Sequence, residues 1–184
     1  MNDFLPENYE VPKGESKYMK FEQGDNKFRI LAKPIFGWEA WTKPTEEHKN
    51  GLPVRFELNE RPTDLREYKD QKVIHFWAMP VWNFKTKSVE VLEITQKGIM
   101  QTIESLAKNE DWGSPLEYNL NVGREGEKLE TKYTVTPSPK SEVPAEATEA
   151  FSGLEDFDIT RLYSGGDPFS SESTELNKED IPFD

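Results

Sequence analysis

Polar and apolar positions alternate along most of the first three quarters of the chain, and the period of that alternation predicts the elements. Asn26 to Trp41 (NKFRILAKPIFGWEAW) is rich in β-branched and aromatic residues, with Pro34 and Gly37 marking a kink or bulge. A loop with Pro44, Asn50 and Gly51 leads to a short strand, Pro53–Glu57, and residues 58–71 are charged and irregular. Val73–Trp82 (VIHFWAMPVW) is the strongest strand signal. Ser88–Ile94 alternates at period two beyond the turn Asn83–Lys87 and pairs with it as a hairpin. The period then changes: Ile99, Ile103 and Leu106 fall on one face of a helix, with Thr95 as its N-cap. Leu116–Val122 and Leu129–Thr136 flank the turn Gly123–Gly126 as a second hairpin, closed by Pro137 and Pro139.

Several strands, one helix and two more strands predict a mainly β protein. The order is that of a five-stranded OB-fold barrel with one helix between strands 3 and 4. The strand count fits if a long strand bends at Pro34 or Gly37. Three regions follow: an N-terminal arm (1–16), the OB domain (17–140) and an acidic, largely disordered C-terminal tail (141–184). Within the tail, Phe151–Tyr163 keeps enough large residues for a short amphipathic element that docks on the body.

Composition sharpens this division. Only 34% of residues are hydrophobic and 32% are charged, yet 12% are aromatic, including 5 Trp. A wholly disordered polymer does not carry so many rings. The net charge of −12 is unevenly spread: residues 141–184 hold 2 basic and 12 acidic residues, the rest 21 and 23. The body is nearly neutral, so the low whole-chain isoelectric point does not exclude a nucleic-acid partner. With no cysteine, disulfides and cysteine-ligated zinc are excluded. No stretch reaches the roughly 18 apolar residues of a membrane span, and the first residues lack a signal-peptide layout. The expectation is a cytoplasmic protein without a membrane partner.

Rings and cations interleave on the same strands, as a surface for unpaired bases requires: flat side chains stack on bases and cations follow the phosphates. The residues selected on this basis for single-stranded DNA are Arg29, Lys33, Trp38, Trp41, Arg55, Lys72, Trp77, Lys85, Lys87 and Tyr133. The competing assignment is core. His75, Trp77, Met79 and Val81 share one face of their strand, Phe76, Ala78 and Trp82 the other, and one set must lie inside. His75 and the Glu46/Glu47 and Glu110/Asp111 pairs are ordinary surface groups, and Gly123-x-x-Gly126 is a turn. No nucleophile, phosphate-loop or metalloprotease motif is present, so neither an enzyme nor a cofactor or metal site is expected.

The chain ends Glu179-Asp180-Ile181-Pro182-Phe183-Asp184. Acidic residues before Ile-Pro-Phe resemble the partner-binding tip of bacterial single-stranded DNA-binding proteins (SSBs), with Asp184 carrying the terminal carboxylate one residue further. The segments NKFRILAKPIFGWEAW, HFWAMPVWNF, VEVLEITQKGIMQTIESL and LETKYTVTP resemble phage-encoded single-stranded DNA-binding proteins, distant kin of the T-even phage helix-destabilising protein. The resemblance implies an OB fold that coats single strands in phage replication, recombination and repair inside the host cytoplasm. It also implies an acidic tail that regulates access and recruits replication and recombination proteins. That family's structural zinc has no cysteine ligands here. Self-association is left open. The alternative is an acidic DNA mimic or protein adaptor acting on a host nuclease or replication factor.

Overall fold

The computed structural model describes residues 17–171. Its elements are β1 (Tyr18–Met19), β2 (Gly24–Ile30), β3 (Ile35–Trp41), β4 (Pro53–Glu57), β5 (Ile74–Asn83), β6 (Ser88–Ile94), α1 (Lys97–Lys108), β7 (Leu120–Glu125), β8 (Lys132–Pro137) and α2 (Ala145–Ser152). The expected N-terminal arm, residues 1–16, and the partner-binding tip, Glu179, Asp180, Ile181, Pro182 and Phe183, lie outside the described residues.

The eight strands form one mixed sheet in the order β1-β6-β5-β2-β7-β8, with β3 on β5 and β4 on β3. The stretch expected to bend does so: β2 and β3 both pair with β5. Ile30 lies opposite Val81 and Ile35 opposite Ala78, so four residues, Leu31–Pro34, face only Met79 and Pro80. This is a bulge. Pro80 fits there because its carbonyl accepts the Leu31 N–H at 2.9 Å while the N–H it lacks is not needed on a broken ladder.

The closed five-stranded barrel does not form, which corrects the sequence expectation. The free edge of β6 is taken by β1 in parallel, Tyr18 opposite Val91 and Met19 opposite Leu92, rather than by β8. The sheet therefore stays open.

Both faces of β5 are buried. On one face Met79 and Val81 join Phe28, Leu92, Ile99 and Leu120 in the main core. α1 covers it with Ile99, Met100 and Ile103, and Leu106 packs at the margin. The helix is capped by Gln96 rather than Thr95, without a side-chain cap bond. On the other face Phe76, Ala78 and Val91 pack with Leu162, Phe157, Tyr163 and Phe169. The strand thus has two inner faces where the pattern suggested one.

That second cover comes from the acidic tail region, within which Phe151–Tyr163 is expected from the sequence to dock on the body. α2 and a 3-10 segment, Ile159–Ser164, lie against the sheet, and the ordered cover extends on to Phe169. Gly37 makes the fit possible, because a Cβ there would stand 2.1 Å from the Phe56 carbonyl and 3.2 Å from the Tyr163 ring. The second hairpin also shifts. β7 continues through Gly123, and the turn forms beyond Glu125, where Gly126 has φ 81° and a Cβ would meet the Glu130 carbonyl at 2.4 Å.

Candidate nucleic-acid interface

The antiparallel register of β3 with β5 sets Phe36 opposite Trp77 and Trp38 opposite His75. That of β3 with β4 sets Phe56 opposite Trp38. Residues facing one another across a ladder point to the same side, so five rings share one face. The Phe36 and Trp77 centroids lie 5.6 Å apart at 85°, those of Trp38 and His75 5.0 Å apart. Trp38 is held by its indole N–H, which donates to the Leu58 carbonyl at 2.9 Å. The Arg61 guanidinium sits 4.4 Å from the Trp38 ring, a cation–π contact at the edge of the row. His75 Nδ1 lies 2.8 Å from the Gly37 carbonyl, which fixes the imidazole. Phe36 is 40% exposed and the other four rings are half-buried, so the row is anchored without being covered.

Beside the row runs an apolar groove of about 230 Å3 between the bulge and α1, lined by Lys33, Pro34, Phe36, Trp77, Ile103 and Leu116. Lys33 is exposed at its rim. The structure therefore brings Lys33, Trp38 and Trp77 together. Lys72 is exposed two residues before β5, at the end of the strand where the row begins.

No protein-family model, curated protein or solved structure matches this chain. The functional assignment rests on the residues themselves.

Other selected residues are placed elsewhere. Arg29 is 2% exposed and donates to the carbonyls of Leu116 (3.1 Å) and Ser141 (2.7 Å), to Asn119 Oδ1 and to Ser141 Oγ. Burial lowers its pKa, against the opposing pull of Glu117. It ties β2 to the chain that follows β8, and no ligand can reach it without breaking those bonds. Arg55, 7% exposed, lies between Glu39 (3.1 Å) and Glu93 (2.6 Å). Burial alone would lower its pKa, but the two carboxyl groups outweigh that and raise it. Both arginines leave the candidate interface because they are spent internally, Arg29 on neutral acceptors and Arg55 on two carboxyl groups. Lys85 and Lys87 lie in the β5–β6 turn, about 20 Å along β5 from Trp77 at the usual strand rise. Lys85 pairs there with Glu22. Trp41 and Tyr133 line a different cavity.

Arg61 escaped the sequence reading because it follows a 3-10 turn, Leu58–Glu60, in a stretch without periodicity. Phe56 and His75 carried a usable signal, since both alternate in phase with the tryptophans opposite them. Among the described residues no group of three or more His, Asp or Glu is placed to hold a metal. None of their helices is long and apolar enough to cross a membrane.

Proposed function

We propose that this protein binds and coats single-stranded DNA in phage replication, recombination and repair, with bases stacking on the Phe36–Trp38–Phe56–His75–Trp77 face. The observation that carries this reading is the anchored, open row of five rings with Lys33 at one flank and Arg61 at the other. Stacking is indifferent to base identity because every base has a π face, which suits a coating protein. The order of the long elements supports it: the bent β2/β3 strand, β5, β6, then α1, β7 and β8 follow the OB pattern in an open sheet. Residues 172–184 then act as an acidic segment that competes for the cations and recruits replication and recombination proteins through Ile181-Pro182-Phe183. The test is a titration of oligo-dT into the full chain at two salt concentrations, followed by Trp fluorescence, with duplex as control. Quenching by the single strand that weakens with salt is expected; equal response to duplex, or none, overturns the reading.

One observation favours the second reading, a DNA mimic or adaptor. Residues 141–171 carry seven acidic residues against Arg161 alone, and they lie on the folded surface. A nuclease-inhibition assay with no single-strand binding would select that reading.

A further inference from the structure

A second cavity, of about 420 Å3, lies in the gap the sheet leaves open, with Glu93 of β6 and Tyr133 of β8 among its walls and Glu39, Trp41 and Arg55 of the β3–β4 hairpin behind. Its size is that of a small-molecule site, which typically spans about 300–1,000 Å3. Its chemistry is unlike that of the apolar groove. Arg124 Nε is buried without a hydrogen-bond partner among the described residues and belongs to a residue lining this cavity, whereas Glu39 Oε2 and Arg55 Nε, from two further lining residues, face each other as an ion pair at 3.1 Å. Arg124 spends Nη1 on the Phe21 carbonyl at 2.7 Å. Buried polar atoms are paired in more than nine cases out of ten, so the unpaired guanidinium nitrogen of Arg124 at the wall of this space calls for a polar occupant.

We propose that this cavity receives one unstacked nucleotide whose base carries an exocyclic amino group. Trp41 and Tyr133 lie against the ring, the Glu39 and Glu93 carboxyl groups meet the amino edge, and Arg124 serves the phosphate. This rests on the single-strand reading and adds base preference to it. A carboxylate accepts from the N4 amino group of cytosine, whereas thymine presents carbonyl oxygens on that edge and would face Glu93 acceptor to acceptor. Glu39 complements this. Burial first, then the hydrogen bond and charge of Glu93, push its pKa up to about 9, so it stays protonated against Glu93 and leaves Glu93 as the anionic acceptor. Arg55, bonded to both acids, is a positioning residue that holds them side by side.

The experiment is ligand-observed saturation-transfer NMR on the full chain with dCMP and with TMP, alongside oligo-dT binding. Transfer to the cytosine H5 and H6 is expected, with TMP bound at least ten-fold more weakly. Glu93→Gln should narrow that ratio, Tyr133→Leu should weaken dCMP at least five-fold, and Trp38→Ala should change neither. Equal binding of TMP and dCMP overturns the proposal. So does absent transfer to dCMP while oligo-dT still binds, an outcome that leaves the ring-row reading standing. If dCMP binds with that preference and oligo-dT does not, the cavity is a free-nucleotide site and the ring-row reading falls. The comparison of nucleotides on the unaltered chain decides the matter even if Glu93→Gln fails to fold.

Discussion

The Tyr163 hydroxyl donates to the Phe36 carbonyl at 2.6 Å, across 127 positions of sequence. Phe36 holds the open end of the ring row, while Tyr163 belongs to the segment that covers the opposite face of the sheet. One bond therefore joins the cover to the strand that presents the rings. Tyr163→Phe removes the donor and leaves the ring, and should cost about 1 kcal/mol. Gly37→Ala forces a methyl into the contact and should cost about 1–3 kcal/mol. Urea titration followed by circular dichroism measures both, and a neutral Gly37→Ala would mean that the Phe56 carbonyl and the Tyr163 ring do not close on Gly37 as described.

Removing a ring from the open row should weaken single-strand binding without unfolding the sheet. Trp38→Ala or Trp77→Ala is expected to lose about 1–3 kcal/mol of affinity for oligo-dT, the worth of one stacked base. Lys33→Ala should lessen the slope of log K against log salt by about 0.7, one phosphate contact on a single strand. Lys85→Ala and Lys87→Ala, remote from the row, should leave it within error. Fluorescence anisotropy at three salt concentrations separates these effects.

Arg29 gives the opposite signature. Arg29→Ala empties a buried side-chain position and takes the donor from the Leu116 and Ser141 carbonyls and the Asn119 side chain, which are in part shielded from water. A loss of more than about 2 kcal/mol in stability is expected, with unchanged affinity for oligo-dT at temperatures where the variant is folded. Weaker binding by a fully folded variant would return Arg29 to the interface.

Glu39 makes stability depend on pH in a defined direction. Its pKa rises from an ordinary 4.5 to about 9 in the folded protein. The folded state thus holds a proton that the unfolded chain releases between those values. The stability tied to that proton is complete below pH 4.5 and is lost as pH rises toward 9. Glu93, Arg55 and Trp41 are the groups that face this carboxyl. Glu39→Gln mimics the neutral form, so the stability difference should move in the variant's favour by at least about 1 kcal/mol between pH 5.5 and 9. Thermal melts at both pH values check the sign.

Much of this fold is legible in local pattern. The β5–β6 hairpin, the short strand Pro53–Glu57, the bend between β2 and β3, and the helix with Ile99 and Ile103 inward all follow from periodicity. What is hidden depends on distant partners. Whether β6 meets β8 is decided by Tyr18 and Met19, two residues with no alternation of their own. The docking of the tail was legible at Phe151–Tyr163, but not its extension to Phe169 or the space left for it by Gly37. The ring row was half visible, because alternation groups Trp38 with Phe36 and Trp77 with His75 but does not reveal that α1 stops short of them. Arg29 and Arg55 look like ligand-binding cations until Ser141 and Glu93 are seen beside them.

The bulge at Leu31–Pro34 has a mechanical consequence. β4 is paired only to β3, and β3 is joined to the rest of the sheet through β5 alone, beyond a point where the ladder is interrupted. In backbone pairing the ring-bearing arm is therefore a cantilever, clamped at one strand and otherwise steadied by side-chain bonds, Arg55 to Glu93 and Tyr163 to Phe36. Its amides should exchange with deuterium before those of β2 and β7, since opening the arm leaves the main core intact. If the rings stack on a single strand as proposed, such a part lets them tilt with a pliant polymer while the body behind them holds its shape.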